Sequence, residues 1–188
     1  KMALLSETLP QRELYSTFSS DEASHYRMIS ALVGRPERRL LEANAFLQYL
    51  DAMIQDEPKA SLILLIQVVL EGWGIPYYSN LADHSQDKAV TSTLKKIVAD
   101  EARHHGSGLI LFDQNRIEGA KRKQLHDQLF ELISMLRLGP AALVSALSRE
   151  NGGLSTSEIR EFIEETSALE KVASDLALIR FLLEKAGA

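Results

Sequence analysis

The chain carries one five-residue pattern twice: Asp21-Glu22-Ala23-Ser24-His25 and Asp100-Glu101-Ala102-Arg103-His104 agree at four of their five positions. In Glu-x-x-His the carboxylate and the imidazole are three residues apart, which on an α-helix makes them neighbours on one face. Such a helix can offer a carboxylate that bridges two metal ions and an imidazole that binds one of them. Two such helices set face to face give a dinuclear site. A further glutamate, Glu71, lies 30 residues before Glu101. Two long antiparallel helices joined by a loop bring residues at that spacing level.

The surroundings of these residues strengthen the reading. Leu14, Phe18, Ile29 and Leu32 recur at the three-to-four-residue steps of a core-facing stripe, and that stripe passes through Glu22 and His25. Leu94, Ile97, Val98, Leu111 and Phe112 mark a second stripe, which passes through Glu101 and His104. Leu64, Val68, Ile75 and Tyr78 mark a third, with Glu71 in its middle. Three glutamates and two histidines therefore occupy positions that patterning assigns to leucine, and all are expected to be buried. A buried carboxylate without a partner is costly and is normally paired or metal-bound. A polar network with Arg partners would satisfy the charges but leaves the repeated motif unexplained.

The elements that must position these residues are all helical. Pro and Gly punctuate the chain, and the periodicity between them is that of helices. The first helix is predicted from about Arg12 to Val33, stopped by Gly34-Arg35-Pro36, and the second from about Glu37 to Gln55. The third runs from Pro58, a favoured first-turn residue, to about Tyr78, followed by a polar connection over Ser79–Gln86 that includes His84. The fourth covers about Asp87 to Phe112 and the fifth about Ala120 to Leu138, closed by Gly139-Pro140. A short helix over Ala141–Ser148 follows. The last begins at Ser155, which forms a capping box with Glu158, and continues to about Lys185. No strand pattern emerges, so the fold class is all-α. Gly72 and Gly74 fall inside the third helix beside Glu71, where each costs about 1 kcal/mol. Helix packing, a local bulge, or room for oxygen or substrate would each account for them.

Composition narrows the function classes. The 188 residues are 45% apolar and 25% charged, with only 10 Gly and 5 Pro, as a folded helical protein requires. The absence of Cys excludes disulfides, thiolate nucleophiles, Cys-ligated zinc and iron–sulfur clusters. A net charge of −5, with Lys121-Arg122-Lys123 as the one basic run, speaks against nucleic acid as a partner. The longest apolar run, Leu62 to Leu70, is far short of the roughly 20 residues that span a bilayer. No leader pattern opens the sequence, so the expected setting is cytoplasmic, with no membrane span.

Taken together, the repeat, the stripes and the spaced Glu71 resemble the ferritin-like di-iron carboxylate superfamily, whose site takes a Glu from each of two helices and Glu-x-x-His from each of two others. The resemblance covers roughly Leu14 to Phe112. It implies Glu22 and Glu101 as bridging carboxylates, His25 and His104 as one imidazole per metal, and Glu71 as a terminal carboxylate. It also implies Asp21 and Asp100 as acids that orient a ligating histidine. No catalytic residue beyond the metal ligands is called for. One carboxylate of the family set is missing: Glu13 faces away from Glu22 on its helix, and Glu7 lies beyond Pro10. A leading helix before Lys1 is the expected source, a five-ligand variant the alternative. The implied architecture is a single ferritin-like helical domain over residues 1–188. It has a metal-binding bundle over about 12–119, an inserted helix, and additional C-terminal helices over 120–188. The implied cofactor is two Fe ions, with Fe/Mn an alternative, since carboxylates and two imidazoles suit either. The implied activity is that of a non-haem di-iron oxidase or oxygenase. Its partners would be dioxygen and a small-molecule substrate, and an electron donor and a homodimeric state are compatible with it. A ferroxidase or iron-handling protein is the alternative. A ribonucleotide-reductase-like small subunit is a weaker one, because Tyr78 lies two turns from Glu71.

Overall fold

The computed structural model describes residues 1–33, 44–117, 119–138, 144–146, 148–149, 151–165 and 168–186. These form helices α1 (Leu9–Val33), α2 (Ala45–Asp56), α3 (Lys59–His84), α4 (Lys88–Leu111), α5 (Gly119–Arg137), α6 (Thr156–Glu165) and α7 (Ala168–Ala186). A single 3₁₀ turn covers Gln114–Arg116. No strand occurs among the described residues, and the protein is all-α. The contacts fall into two compact units, Lys1–Ile117 with Leu182–Ala188, and Glu118–Phe181.

In the first unit, capping chemistry sets the helix starts. Asp87 accepts from the backbone N–H groups of Ala89 and Val90 at 2.7 and 3.3 Å and opens α4. Asn44 does the same for α2 through Leu47 N–H. The expected start of that helix at Glu37, and Glu42 with it, lie outside the described residues. The core is built from Tyr15 and Phe18 of α1, Met53 of α2, Leu62 to Val69 of α3, and Leu94 and Ile97 of α4. Helix α3 packs along α4, and α1 packs on α4.

Helix α3 departs from expectation in two ways. It continues through the anticipated polar connection to His84, whose Nδ1 lies 2.9 Å from its own turn's Asn80 carbonyl, so the loop shrinks to Ser85–Asp87. Buried Ala82 gives that last stretch a packed face. Its middle, Ile63–Glu71, is wound as a π-helix between α-helical ends. The helix is long and apolar enough to cross a membrane by length and composition, a test that a core helix also passes, and over half of its apolar window is buried within the protein.

The second unit holds α5, α6 and most of α7, with Leu125, Leu132 and Ile179 buried. Ser155 and Glu158 form the predicted capping box: Glu158 accepts from Ser155 N–H at 2.7 Å, and Ser155 Oγ accepts from Glu158 N–H at 3.3 Å. The single final helix expected after Ser155 is seen as α6 and α7, with residues 166–167 outside the described set. Residues 139–143 and 147, including Gly139-Pro140 and much of the expected short helix, are likewise outside it.

Candidate metal centre

Helix α1 delivers Asp21, Glu22 and His25, α3 delivers Glu71, and α4 delivers Asp100, Glu101 and His104 to one place. The Glu-x-x-His spacing on each helix sets its own carboxylate beside its own imidazole: His25 Nδ1 is 3.6 Å from Glu22 Oε2, and His104 Nδ1 is 4.0 Å from Glu101 Oε2. The packing of α1 on α4 adds the cross-terms, with His104 Nδ1 3.3 Å from Glu22 Oε1 and His25 Nδ1 3.5 Å from Glu101 Oε1. Each of these two glutamates thus presents one oxygen to each imidazole. Glu71 joins on one side only, 3.8 Å from His104 Nδ1. Glu22, Glu71, Glu101 and His104 each place a ligand atom within 4.8 Å of the others. His25 stands across Glu22 and Glu101 from that group, its ring centroid 6.3 Å from that of His104. Among the described residues, Glu22 and Glu101 are the carboxylates facing His25 Nδ1. Glu7, remote in sequence terms, pairs instead with Arg116 at 3.7 Å.

The aspartates act crosswise. His25 Nε2 lies 3.1 Å from Asp100 Oδ2, and His104 Nε2 lies 3.2 Å from Asp21 Oδ2. Each motif's acid therefore holds the other motif's imidazole, with Nε2–H donating and Nδ1 turned inward without its proton in the neutral ring. Arg103 couples the pair: its guanidinium binds Asp100 and reaches Asp21 at 3.4 Å. The repeat itself hides this residue, because Ser24 stands at the matching place in the first copy.

Burial is uneven. His104 is fully enclosed, with the Phe18 ring 4.0 Å from its own, and His25 and Glu101 are buried. Glu22 is not: its side chain is 55% exposed, contrary to the stripe-based expectation. It borders the open cavity beside α1, so its side chain is exposed on that side while its oxygens face the two imidazoles. Burial, opposed by His104, pushes the Glu71 carboxyl up to about 8. Burial and then the charge of Glu22 push Glu101 up to about 7. Burial would lower His104, but the carboxylates of Glu22, Asp21, Glu71 and Glu101 outweigh it and hold the imidazole at about 9. Without metal, the cluster keeps its like charges apart by retaining protons.

The donor set fits a metal. His25 Nδ1, His104 Nδ1 and Glu71 Oε2 are buried without a hydrogen-bond partner, and all three belong to this cluster. Orphaned buried polar atoms are rare in native proteins, and a cation between them would satisfy all three. Mixed carboxylate and imidazole ligation is compatible with iron.

The glycines beside Glu71 serve packing. A Cβ on Gly72 would stand 2.8 Å from His105 Nδ1 and 3.0 Å from Leu182 Cδ1, and one on Gly74 would touch the Tyr78 ring at 3.4 Å. Gly72 therefore opens no room for oxygen or substrate, whereas a Cβ on Gly74 would make only ordinary contact. The bulge reading fits the π-helical turns ending at Glu71. His105 turns away from His104 to donate to Gln67 C=O on α3 at 3.2 Å. Open space lies elsewhere: a cavity of about 400 Å³ lined by α1 and the π segment, with Glu22 and Glu71 in its wall. Two residues of that wall were given no role by the sequence, although Gln67 is the one polar residue in the Leu62–Leu70 run. Tyr15 OH donates to Gln67 Oε1 at 3.0 Å, and Gln67 Nε2 donates to Ser107 Oγ and His104 C=O at 3.3 and 3.4 Å. Burial and the charge of Glu71 push the Tyr15 phenol up to about 12.

Comparison with known families matches residues 3–109, more than half of the chain, to the model of a ferritin-like domain. No curated protein and no solved structure matches the chain.

Proposed function

The chain belongs to the ferritin-like domain family, and from that premise we propose that it is a non-haem di-iron oxidase or oxygenase, using dioxygen to oxidise or hydroxylate a small organic substrate. The observation that favours an enzyme over iron storage is the 400 Å³ cavity that meets the cluster at Glu22 and Glu71. Iron deposition has no need of an organic-sized room beside the ligands.

Two ferrous ions, held by Glu22, Glu71, Glu101, His25 and His104, would supply the oxygen-reducing chemistry. The protein's own share is geometric and electrostatic. Glu22 and Glu101 each span the two imidazoles and so set the separation of the two positions. Asp21 and Asp100 hold Nε2–H of the histidines and keep both Nδ1 atoms available. Arg103 anchors the two aspartates, so the imidazoles keep their aim when the cluster's charge changes. Phe18 and the α3 core keep bulk water from His104, while the half-exposed Glu22 leaves a way in. The His25 imidazole faces fewer carboxylates than the His104 imidazole, so the two would offer a metal unequal surroundings. An oxygenase cycle also draws two electrons from an external donor, which is the expected further partner.

The test is elemental analysis after anaerobic Fe(II) loading, beside a Glu22→Ala/Glu101→Ala variant, followed by oxygen-electrode measurements with candidate substrates. About two Fe per chain, lost in the variant, with oxygen uptake that rises on adding an organic substrate, is the expected result. Oxygen uptake that tracks added Fe(II) alone, with ferric iron accumulating far beyond two per chain, would assign the protein to iron handling. No iron bound would end the catalytic reading.

A further inference from the structure

The cavity itself carries information about what enters it. Its wall is made chiefly of Tyr15 and Phe18 from α1, Ile54 from α2, and Leu62 and Ile66 from α3. The polar side chains that line it are mostly engaged with the protein. Gln67 is held at its oxygen by Tyr15 and at its nitrogen by Ser107 and the His104 carbonyl. Ser16 Oγ donates to Arg12 C=O at 2.8 Å. Lys1, whose side chain is the wall's one cationic side chain among the described residues, donates from Nζ to the carbonyls of Gln55 and Glu57 at 2.6 and 2.8 Å. Ser19 keeps a hydroxyl at the exposed rim. At the other end, Glu71 Oε2 is the buried oxygen without a partner. Away from the end formed by Glu22 and Glu71, an anion in this room would leave water for side chains with no disengaged cation and almost no unused donor, at a cost of several kcal/mol. An apolar molecule would gain from every wall residue it covers. The volume lies at the lower end of the roughly 300–1,000 Å³ of small-molecule sites.

We propose that this cavity is the substrate pocket and that the substrate is a small, uncharged, predominantly apolar molecule whose reacting end lies against Glu22 and Glu71. This assignment rests on the oxidase reading for its word "substrate", but the pocket's chemical preference is testable apart from it. Isothermal titration of the anaerobic iron-loaded protein would use a size-matched pair, cyclohexanol and cyclohexanesulfonate, the latter a weak metal ligand. Cyclohexanol is expected to bind at least tenfold more tightly than the sulfonate. Ile66→Trp, which projects an indole into the room, is expected to weaken cyclohexanol at least tenfold while iron content stays the same. Ile54→Trp, on the partly exposed α2 side, gives the same reading should the core variant fail to fold. Absence of cyclohexanol binding, equal binding of the sulfonate, or binding indifferent to a folded Trp variant would overturn the proposal. Blockable cyclohexanol binding without substrate-dependent oxygen uptake would leave the pocket standing and overturn the oxidase reading. Substrate-dependent oxygen uptake with no blockable cyclohexanol binding would do the reverse.

Discussion

Gly106 and Gly108 stand two residues apart on α4, and the same Gly→Ala change is expected to have opposite effects at them. A Cβ on Gly106 meets nothing within 4 Å, so the substitution only removes glycine's helix penalty and should stabilise by about 1 kcal/mol. A Cβ on Gly108 would lie 2.7 Å from Gln67 Cβ and 3.3 Å from the Gln67 carbonyl carbon. Ordinary contact begins near 3.4 Å, so α3 and α4 must part by about 0.7 Å. Overpacking of this kind costs about 1–3 kcal/mol, partly offset by the same propensity gain. The two variants should therefore differ by about 1–3 kcal/mol, or roughly 2–12 °C in Tm for a chain of this length. The separation also bears on the metal centre. Gln67 is tied to His104 C=O and Ser107, and Glu71, one turn further on, is 3.8 Å from His104 Nδ1. Parting the helices draws Glu71 away from the other ligands, so Gly108→Ala should bind Fe(II) more weakly and Gly106→Ala should bind it normally. Circular-dichroism melts and anaerobic Fe(II) titration of the two variants provide the check. A Gly108→Ala protein that melts as high as Gly106→Ala, or binds iron equally well, would refute the close-packing account.

Asp21→Asn and Asp100→Asn should each lower metal affinity about 10- to 100-fold, since the orienting acid for one imidazole is lost. The crosswise pairing makes Asp21→Asn perturb His104 rather than His25, which histidine ring resonances of the metal-free protein would report. The metal-free protein should be most stable near pH 5 and lose stability steadily as the pH rises from about 5 to about 9. In the fold Glu71 is held at about 8, Glu101 at about 7 and His104 at about 9. All three bind their protons more tightly folded than unfolded, and each unit of difference is about 1.4 kcal/mol, lost as the pH climbs from the unfolded value to the folded one. The three titrate as one coupled cluster. Iron should flatten this trend by replacing the protons, and a metal-free Tm that climbs from pH 5 to 9 would contradict the assignment. Tyr15→Phe should destabilise by about 1–3 kcal/mol in chemical denaturation, because Gln67 Oε1 is left buried without its donor.

Much of the candidate centre is legible in the sequence alone. Helix geometry is local: a three-residue spacing puts Glu22 beside His25 and Glu101 beside His104 whatever surrounds them, and the interrupted leucine stripes show which face turns inward. The starts at Asp87 and Ser155 are equally local, since a cap is completed within its own turn. By itself, then, the sequence determined an all-α fold, the helices carrying the clustered Glu and His side chains, and the kind of atoms they offer. Other features were settled only when helices met. Whether Asp21 serves His25 or His104 depends on how α1 lies on α4, and the answer, a crosswise exchange, has no trace in the order of residues. The exposure of Glu22 goes with the open cavity it borders, which a stripe of hydrophobic spacing cannot foresee. Gly72 reads the same on paper as a gap or a seat; the His105 ring from α4 makes it a seat. The cavity lies instead against Ile66 and Phe18, which look like ordinary core residues until α1 and the π turns of α3 fail to close on each other. Tertiary structure decided these points because each is a relation between surfaces distant in sequence, and side-chain spacing along one helix carries no information about the neighbour that will face it.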